Sequence, residues 1–381
     1  MPPSRPGDPY AAVGRVLGGD LAPLLEPVEG MAGRDRLHFA FAIPRVRRGS
    51  GGHNTIFQII SRLEGMGHTC SIWLHDPLGD VASESPGVIR RAINDHFAPV
   101  AAPVLKGFEH WYGADVAVAT GWQTVYPVML LDSCRARAYL VNDHEPEFYP
   151  SSFERQAAAR TYELGLHCIA ASPWLRDLLA QRYGATARDF PLGVDDAVYW
   201  PRPVSRCRDT VIFYGREVTP RRGVRLGTLA LDVLLGRHPR VKVWIYGDRA
   251  PLSTSFPYEH LGVLDHDQLA DAYSRAGVGL SLSLTNFSLT PKEMLACGLP
   301  CVEVAGVSAE SIFGDDGPIE LAPPEPTALA DALERLLLDG DLWSERSIAG
   351  REWVSHHSWD TAARAVEGHL REALRIRERS V

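Results

Sequence analysis

The sequence predicts an α/β chain folded as two Rossmann-like domains facing a cleft. Three observations predict it. Apolar runs of strand length alternate with amphipathic stretches of helix length. The strand, polar loop, helix order starts at Leu37 and starts again at Thr210, after a stretch rich in Pro, Arg and Ser. The 381-residue length exceeds what one ordinary core organises.

Composition narrows the class. Hydrophobic residues make up 45% and charged residues 23%, as in globular proteins. A net charge of −8 argues against a dedicated nucleic-acid binder. The six cysteines form no Cys-x-x-Cys pair and mostly lie in apolar runs, which fits reduced thiols rather than disulfides or zinc. No apolar run approaches the ~18 residues of a membrane span. Residues 1–33 lack the order of a signal peptide. A cytoplasmic enzyme is expected, with docking at the inner face of a membrane left open.

The chain reads as follows. Residues 1–34 are rich in Pro and Gly and are expected to form a loose arm with one short helix. Residues 35–202 form the first domain. Leu37 to Ile43 is its first strand, followed by Pro44 to Asn54, then a helix from about Thr55 to Met66. The loop carries Arg45, Arg47 and Arg48, glycines 49, 51 and 52, then His53 and Asn54. Glycines there let backbone N–H groups approach a ligand. The pattern is neither Gly-x-Gly-x-x-Gly nor a Walker loop, so it implies neither a dinucleotide nor ATP. The arginines suit an anionic acceptor, with a solvated basic loop the plain alternative. A strand at Ala114 to Ala119 leads to Gly121 and Trp122, which open a helix. Trp111, Tyr112 and Trp122 are aromatics able to stack on an acceptor. A strand at Ala136 to Val141 ends in Asn142-Asp143-His144-Glu145-Pro146-Glu147, a density of ionisable groups unusual for a turn.

Residues 208–357 form the second domain. Thr210 to Tyr214 is a strand that meets Gly215-Arg216-Glu217-Val218-Thr219-Pro220-Arg221-Arg222-Gly223. Guanidinium groups at a strand-to-helix loop suit a diphosphate, because their forked donors match phosphate oxygens and never lose charge. Asp265-His266-Asp267 has the look of a metal site, but Asp265 is better placed as the N-cap of the next helix. Val278 to Leu284 is a strand. It runs through Thr285-Asn286-Phe287-Ser288-Leu289-Thr290 into a helix with Pro291 in its first turn and Glu293 one turn inside. Gly298 stops that helix. Thr285, Asn286 and Ser288 offer cap chemistry. A last helix near residues 358–381 is amphipathic.

The stretch from Asn286 to Val302 resembles the retaining family 4 glycosyltransferases, which place Glu-x7-Glu here before an Ala-x-Gly-x-Pro-Val run. Glu293 matches the second Glu, Asn286 replaces the first, and Ala296-Cys297-Gly298-Leu299-Pro300-Cys301-Val302 matches the run. The Thr-Asn-x-Ser-Leu variant is similar to bacterial rhamnosyltransferases that use dTDP-rhamnose in cell-surface glycan assembly. The resemblance implies the GT-B fold, with the acceptor on the first domain, the nucleotide sugar on the second, and residues 358–381 crossing back to the first. It implies that Glu293 holds the nucleotide ribose and that Gly51 and Gly52 face donor phosphates and acceptor. Arg216 with Arg221 or Arg222 would bind the leaving diphosphate. Asn286, Phe287, Ser288, Leu289 and Thr290 would complete the donor site. Arg45, Arg47, Arg48, His53, Asn54 and Trp122 fall to the acceptor. Asp143, His144 and Glu145 are candidates for acceptor orientation or proton handling, with Arg216 as the catalytic cation. No metal and no cofactor beyond the nucleotide-sugar co-substrate is implied. UDP- and GDP-sugars stay open as donors, and glycan, lipid-linked and small-molecule acceptors stay open too. A nucleotide-sugar epimerase and a non-catalytic nucleotide-sugar binder are the rivals from other classes.

Overall fold

The structure, a computed structural model, describes residues 8–24, 35–80, 83–314 and 316–378. Half of the expected arm, 1–7 and 25–34, lies outside the described residues. The chain divides into two compact units, Met1–Pro191 with Asp360–Val381, and Leu192–Trp359. The division therefore falls at Leu192, ahead of the Pro-Arg-Ser stretch.

Among the described residues, the first unit holds seven strands. They are β1 (His38–Pro44), β2 (Thr69–His75), β3 (Val104–Lys106), β4 (Ala114–Ala119), β5 (Cys134–Val141), β6 (His167–Ala170) and β7 (Ala187–Asp189). Its helices are α1 (Ala11–Leu17), α2 (Gly51–Gly65), α3 (Pro86–His96), α4 (Trp122–Met129), α5 (Phe153–Thr161) and α6 (Pro173–Tyr183). The strands pair in parallel in the order β3-β2-β1-β4-β5-β6-β7. Parallel strands covered on both faces read as unbroken apolar runs, and β1 follows this, with Phe39 to Ile43 all buried. The order reverses direction between β1 and β4. The loops after those two strands therefore diverge and open a crevice at the carboxyl edge.

The second unit repeats the plan with β8 (Cys207–Tyr214), β9 (Lys242–Tyr246), β10 (Glu259–Gly262), β11 (Ala276–Leu280), β12 (Cys301–Val304) and β13 (Glu320–Ala322). The order is β10-β9-β8-β11-β12-β13, all parallel, and the reversal falls between β8 and β11. Its helices are α7 (Val224–Arg237), α8 (His266–Arg275), α9 (Thr290–Ala296), α10 (Val307–Phe313), α11 (Pro326–Leu338) and α12 (Gly340–Ser355). The final helix, α13 (Trp359–Glu378), belongs to the first unit from Asp360 onward. Its buried Ala362, Ala363, Val366 and Leu370 face that unit's core. Glu367 meets His68 at 3.2 Å and Glu372 meets Arg188 at 2.7 Å. No helix among the described residues is long and apolar enough to cross a membrane.

Several elements depart from expectation for local reasons. The described part of the arm is not loose. Val13 and Val16 of α1 are buried in the same core as Val125, Tyr126 and Met129 of α4. Helix α2 begins at Gly51 rather than near Thr55, because the Ser50 hydroxyl accepts the His53 N–H and caps it. Gly51 and Gly52 are thus the first residues of a helix, not part of the loop. Asp265 does cap α8, in a reciprocal pair with Gln268 (2.9 and 3.0 Å). Gly298, at φ 68°, stops α9 as expected.

Candidate active site

The second unit carries the denser site. It forms where the loops after β8 and β11 diverge. The β8 loop runs from Gly215 to Gly223, closing in a 3-10 turn over Pro220–Arg222. Gly223 adopts φ 56°, and a Cβ there would sit 3.3 Å from Leu282 of the other loop, so glycine lets the two loops meet. The meeting is hydrogen-bonded. The Leu284 N–H donates to the Arg221 carbonyl at 2.9 Å, and the Arg222 guanidinium donates to the Ser283 hydroxyl at 2.6 Å. Arg222 thereby turns across the crevice. Asp248 accepts the Glu217 N–H at 2.6 Å, fixing the turn that follows Arg216.

Beneath Ser283 lies a group that the sequence reading missed. Glu303 stands in β12 with no exposed surface. The β11–β12 ladder ends where the Ser281 N–H donates to Val302. The Glu303 carboxyl then takes over, accepting the Ser283 N–H at 2.7 Å and the Val304 N–H at 2.9 Å on one oxygen. Its other oxygen is buried with no hydrogen-bond partner among the described residues. Burial pushes its pKa up to about 8, against the lowering effect of those N–H groups and of Arg222. A Glu in the otherwise apolar run Cys301–Val304 was the visible signal.

The β11 loop leads into α9. Asn286 is 1% exposed, and the Ser308 hydroxyl of α10 donates to its side-chain oxygen at 3.1 Å. Ser308 also accepts the Phe287 N–H at 3.0 Å, so α10 braces the loop. Ser288 lies 3.4 Å from Ser281. None of these caps α9. Its N-cap position is Leu289 with no side-chain bond. At seven residues α9 is two turns long, so local positive potential comes chiefly from arginine side chains rather than from a long helix dipole.

Glu293 projects from α9 into a cluster of tyrosines. Burial raises its pKa to about 6, while charge interaction with His266 and the polar hydroxyl of Tyr199 pull it down. The preceding residue, Lys292, was not anticipated as a buried group. Its ammonium, 1% exposed, donates to the Leu192 carbonyl at 2.8 Å. It lies 5.3 Å from the Phe287 ring centroid and 5.1 Å from that of Trp353. Burial lowers its pKa to about 7.

In the first unit, the loops after β1, β4 and β5 share the carboxyl edge. Arg47 and Arg48 are exposed, and Arg45 pairs with Asp80 at 3.1 Å. The other acceptor-side expectations change. His53 is buried between Phe57 and Phe97, and burial drives its pKa down to about 4, which makes it a core residue. Trp122 is 3% exposed, with its indole N–H on the Tyr149 hydroxyl at 2.9 Å, so it offers no stacking face. Asn54, in α2, is buried as well. Trp111 and Tyr112 lie toward the opposite, amino edge. Tyr112 stacks on His38 at the start of β1, and Trp111 donates to Asp132 ahead of β5.

Both oxygens of the Glu145 carboxyl are bonded within the first unit. One oxygen accepts the Trp122 N–H that opens α4 (2.8 Å), and the other accepts the Tyr139 hydroxyl of β5 (2.7 Å). His144 is fully buried, 2.8 Å from the Tyr183 hydroxyl and 3.1 Å from Glu147. Asp143 accepts the His144 N–H at 2.8 Å. Among the described residues, no group of three or more His, Cys, Asp or Glu is arranged to hold a metal.

Two parallel-sheet Rossmann-like units, the last helix joined to the first of them, are the GT-B fold of glycosyltransferases. A crystal structure of Anabaena HepE in complex with UDP and glucose has this fold, with a TM-score of 0.68 at 14% identity, over 88% of this chain and 100% of that one. Residues 209–334 match the family model described as WsaF, C-terminal domain. The chain is 30% identical over 265 residues to the O-antigen biosynthesis protein RfbC of Myxococcus xanthus, a match that covers 67% of this chain. It is 27% identical over 232 residues to the GDP-mannose-dependent alpha-(1-6)-phosphatidylinositol monomannoside mannosyltransferase of Mycobacterium tuberculosis (strain H37Rv). That match covers 52% of this chain. The matched part is 21% of the first relative's length and 60% of the second's.

Proposed function

We propose that this chain is a glycosyltransferase that moves a hexosyl group from a nucleotide-sugar donor to a glycan or lipid-linked acceptor in cell-surface glycan assembly. The observation that carries the reading is the second unit's crevice. Arg216, Arg221 and Arg222 stand on one loop, and Asn286 and Glu293 belong to the other, within the stretch that matches the family model. In the reaction, the bond from the anomeric carbon to the diphosphate oxygen breaks. A bond from that carbon to an acceptor hydroxyl oxygen forms, and the hydroxyl proton passes to the leaving phosphate. Negative charge builds on the diphosphate, so fixed guanidinium groups beside it lower the barrier. Arg216 is the principal cation. Arg222, turned across the crevice toward Ser283, is the second. Glu293 accepts hydroxyls of the nucleotide's sugar ring, and Asn286 meets the transferred sugar. The exposed Arg47 and Arg48 serve an anionic acceptor, a role compatible with work at a membrane face. The reaction needs no metal in this reading, because arginines neutralise the leaving group.

The finer reading is transfer of rhamnose from dTDP-rhamnose with retention, which the Thr-Asn-x-Ser-Leu stretch supports. The GDP-mannose dependence of the mycobacterial relative favours a GDP-sugar as the second reading. A thermal-shift panel of dTDP, UDP, GDP and their sugars, with and without magnesium, separates the two. Selective stabilisation by dTDP and dTDP-rhamnose, indifferent to magnesium, is expected. Selective stabilisation by a GDP- or UDP-sugar would overturn the rhamnose assignment. No response to any nucleotide would overturn the glycosyltransferase reading.

A further inference from the structure

We propose that Glu303 is a positioning residue for the donor site, holding Ser283 in place so that the Arg222 guanidinium is fixed where a leaving diphosphate lies. The inference rests on the donor-site reading of Arg222. Glu303 has no exposed surface and so acts through its neighbours rather than on a ligand. It is rooted in β12, whose residues Cys301–Val304 are all buried and which pairs with β11 on one side and β13 on the other. From that strand one carboxyl oxygen accepts the Ser283 N–H at 2.7 Å and the Val304 N–H at 2.9 Å. The ladder bond just before it runs from the Ser281 N–H to the Val302 carbonyl. The Glu303 side chain therefore holds the departing loop to the sheet one step past the end of the ladder.

Ser283 passes this constraint on through consecutive contacts between the two crevice loops. Leu282 meets Gly223, where a Cβ would come within 3.3 Å of it. The Ser283 hydroxyl accepts from the Arg222 guanidinium at 2.6 Å. Leu284 donates its N–H to the Arg221 carbonyl at 2.9 Å. Residues 282, 283 and 284 thus oppose 223, 222 and 221 in order, and Ser283 is tied to the sheet as well. A guanidinium carries five N–H donors in one plane, so anchoring one at Ser283 sets the direction of the rest. Without the Glu303 acceptor, Ser283 loses its tie and Arg222 spreads over several rotamers. A diphosphate must then meet the cost of ordering the side chain. The protonation of Glu303 suits this task. Burial raises its pKa to about 8, so near neutrality it offers an acceptor without a negative charge that would compete with phosphate for Arg222.

The test measures, by calorimetry at neutral pH, the affinity of the full chain for dTDP, UDP and GDP and for the matching monophosphates. The variants are Glu303→Gln, Glu303→Leu, Ser283→Ala and Arg222→Ala, with Glu303→Leu and Ser283→Ala also made in the Arg222→Ala background. Arg222→Ala is expected to weaken the diphosphate that the wild type binds best by on the order of tenfold, and its monophosphate much less. Ser283→Ala and Glu303→Leu should weaken it to a similar degree. Glu303→Gln keeps the accepting oxygen and should stay within about twofold of the wild type. In the Arg222→Ala background neither further change should weaken binding again, because the interaction they serve is already gone. Glu303→Asp, which retracts the acceptor by one methylene, gives the same reading should Glu303→Leu not fold. Wild-type affinity in Arg222→Ala or Ser283→Ala would overturn the proposal and leave the rest of the donor reading standing. So would losses that multiply in the Arg222→Ala background, or a Gln variant as impaired as the Leu one. A wild type that binds no diphosphate at all would overturn the donor reading itself, and the proposal with it.

Discussion

Replacing Glu303 by Gln makes the stability of the second unit less sensitive to pH, and the structure sets the size of the effect. The carboxyl has no exposed surface and takes two N–H groups on one oxygen. Gln keeps that acceptor and cannot ionise. In the wild type the folded-state pKa is raised from its ordinary 4.5 to about 8. The native state therefore holds a proton that the unfolded chain has released. Stability from this group is fully present below the unfolded value and is lost as pH rises through the folded one. A shift of that size, at ~1.4 kcal/mol per pKa unit, amounts to about 5 kcal/mol above pH 9 and about 3 kcal/mol at pH 7. Either is a large part of the ~5–15 kcal/mol that holds a typical domain together. Urea unfolding followed by tryptophan fluorescence at pH 5, 7 and 9 measures it. The Gln variant should match the wild type within about 1 kcal/mol at pH 5 and exceed it progressively at pH 7 and 9. A difference that stays constant with pH would refute the reasoning. It would mean that Arg222 stabilises the charged form as fully as water does.

Three further outcomes are expected. Arg216→Ala and Glu293→Ala should each lower transfer by about 10²-fold or more while circular dichroism and thermal midpoints stay near wild type; unchanged turnover in both would remove the donor-site assignment. Glu145→Ala leaves the Trp122 N–H and the Tyr139 hydroxyl unpaired in the first unit and should cost about 2–5 kcal/mol of stability, seen as a lowered denaturation midpoint. Gly223→Ala forces a side chain into φ 56° and against Leu282, and should destabilise by about 1–2 kcal/mol and weaken nucleotide binding, measured by calorimetry.

The sequence resolved different parts of this protein unequally. The alternation of apolar runs with helical stretches located β1, β4, β5, β8 and β11 to within a few residues, with the short β3, β7 and β13 escaping notice. Three-residue edge strands carry too little pattern to stand out. Cap chemistry was legible where the side chain and its target are near neighbours, as for Asp265, whose carboxylate accepts the Gln268 N–H at 2.9 Å. It misled at α9, where Asn286 and Ser288 bond distant partners instead of the helix. The polar density at residues 142–147 was legible as unusual, but its function was not. The partners of Glu145, Trp122 and Tyr139, come from other elements of the sheet edge and leave no mark in the local sequence.

By itself the sequence determined the two α/β halves, the loops that carry arginines and Glu293, and the glycine stops. These depend on local periodicity and on backbone preferences confined to a few residues. Only the tertiary structure decided which charges face inward. It put His53 in a core, gave Glu303 the hydrogen bonds of a missing ladder rung, and set Lys292 against Leu192. It also brought Tyr199 and His266, 67 positions apart, within 2.8 Å of each other. The protonation of a buried group depends on the neighbours that desolvate and bond it, and those neighbours are brought together by packing rather than by proximity in the chain.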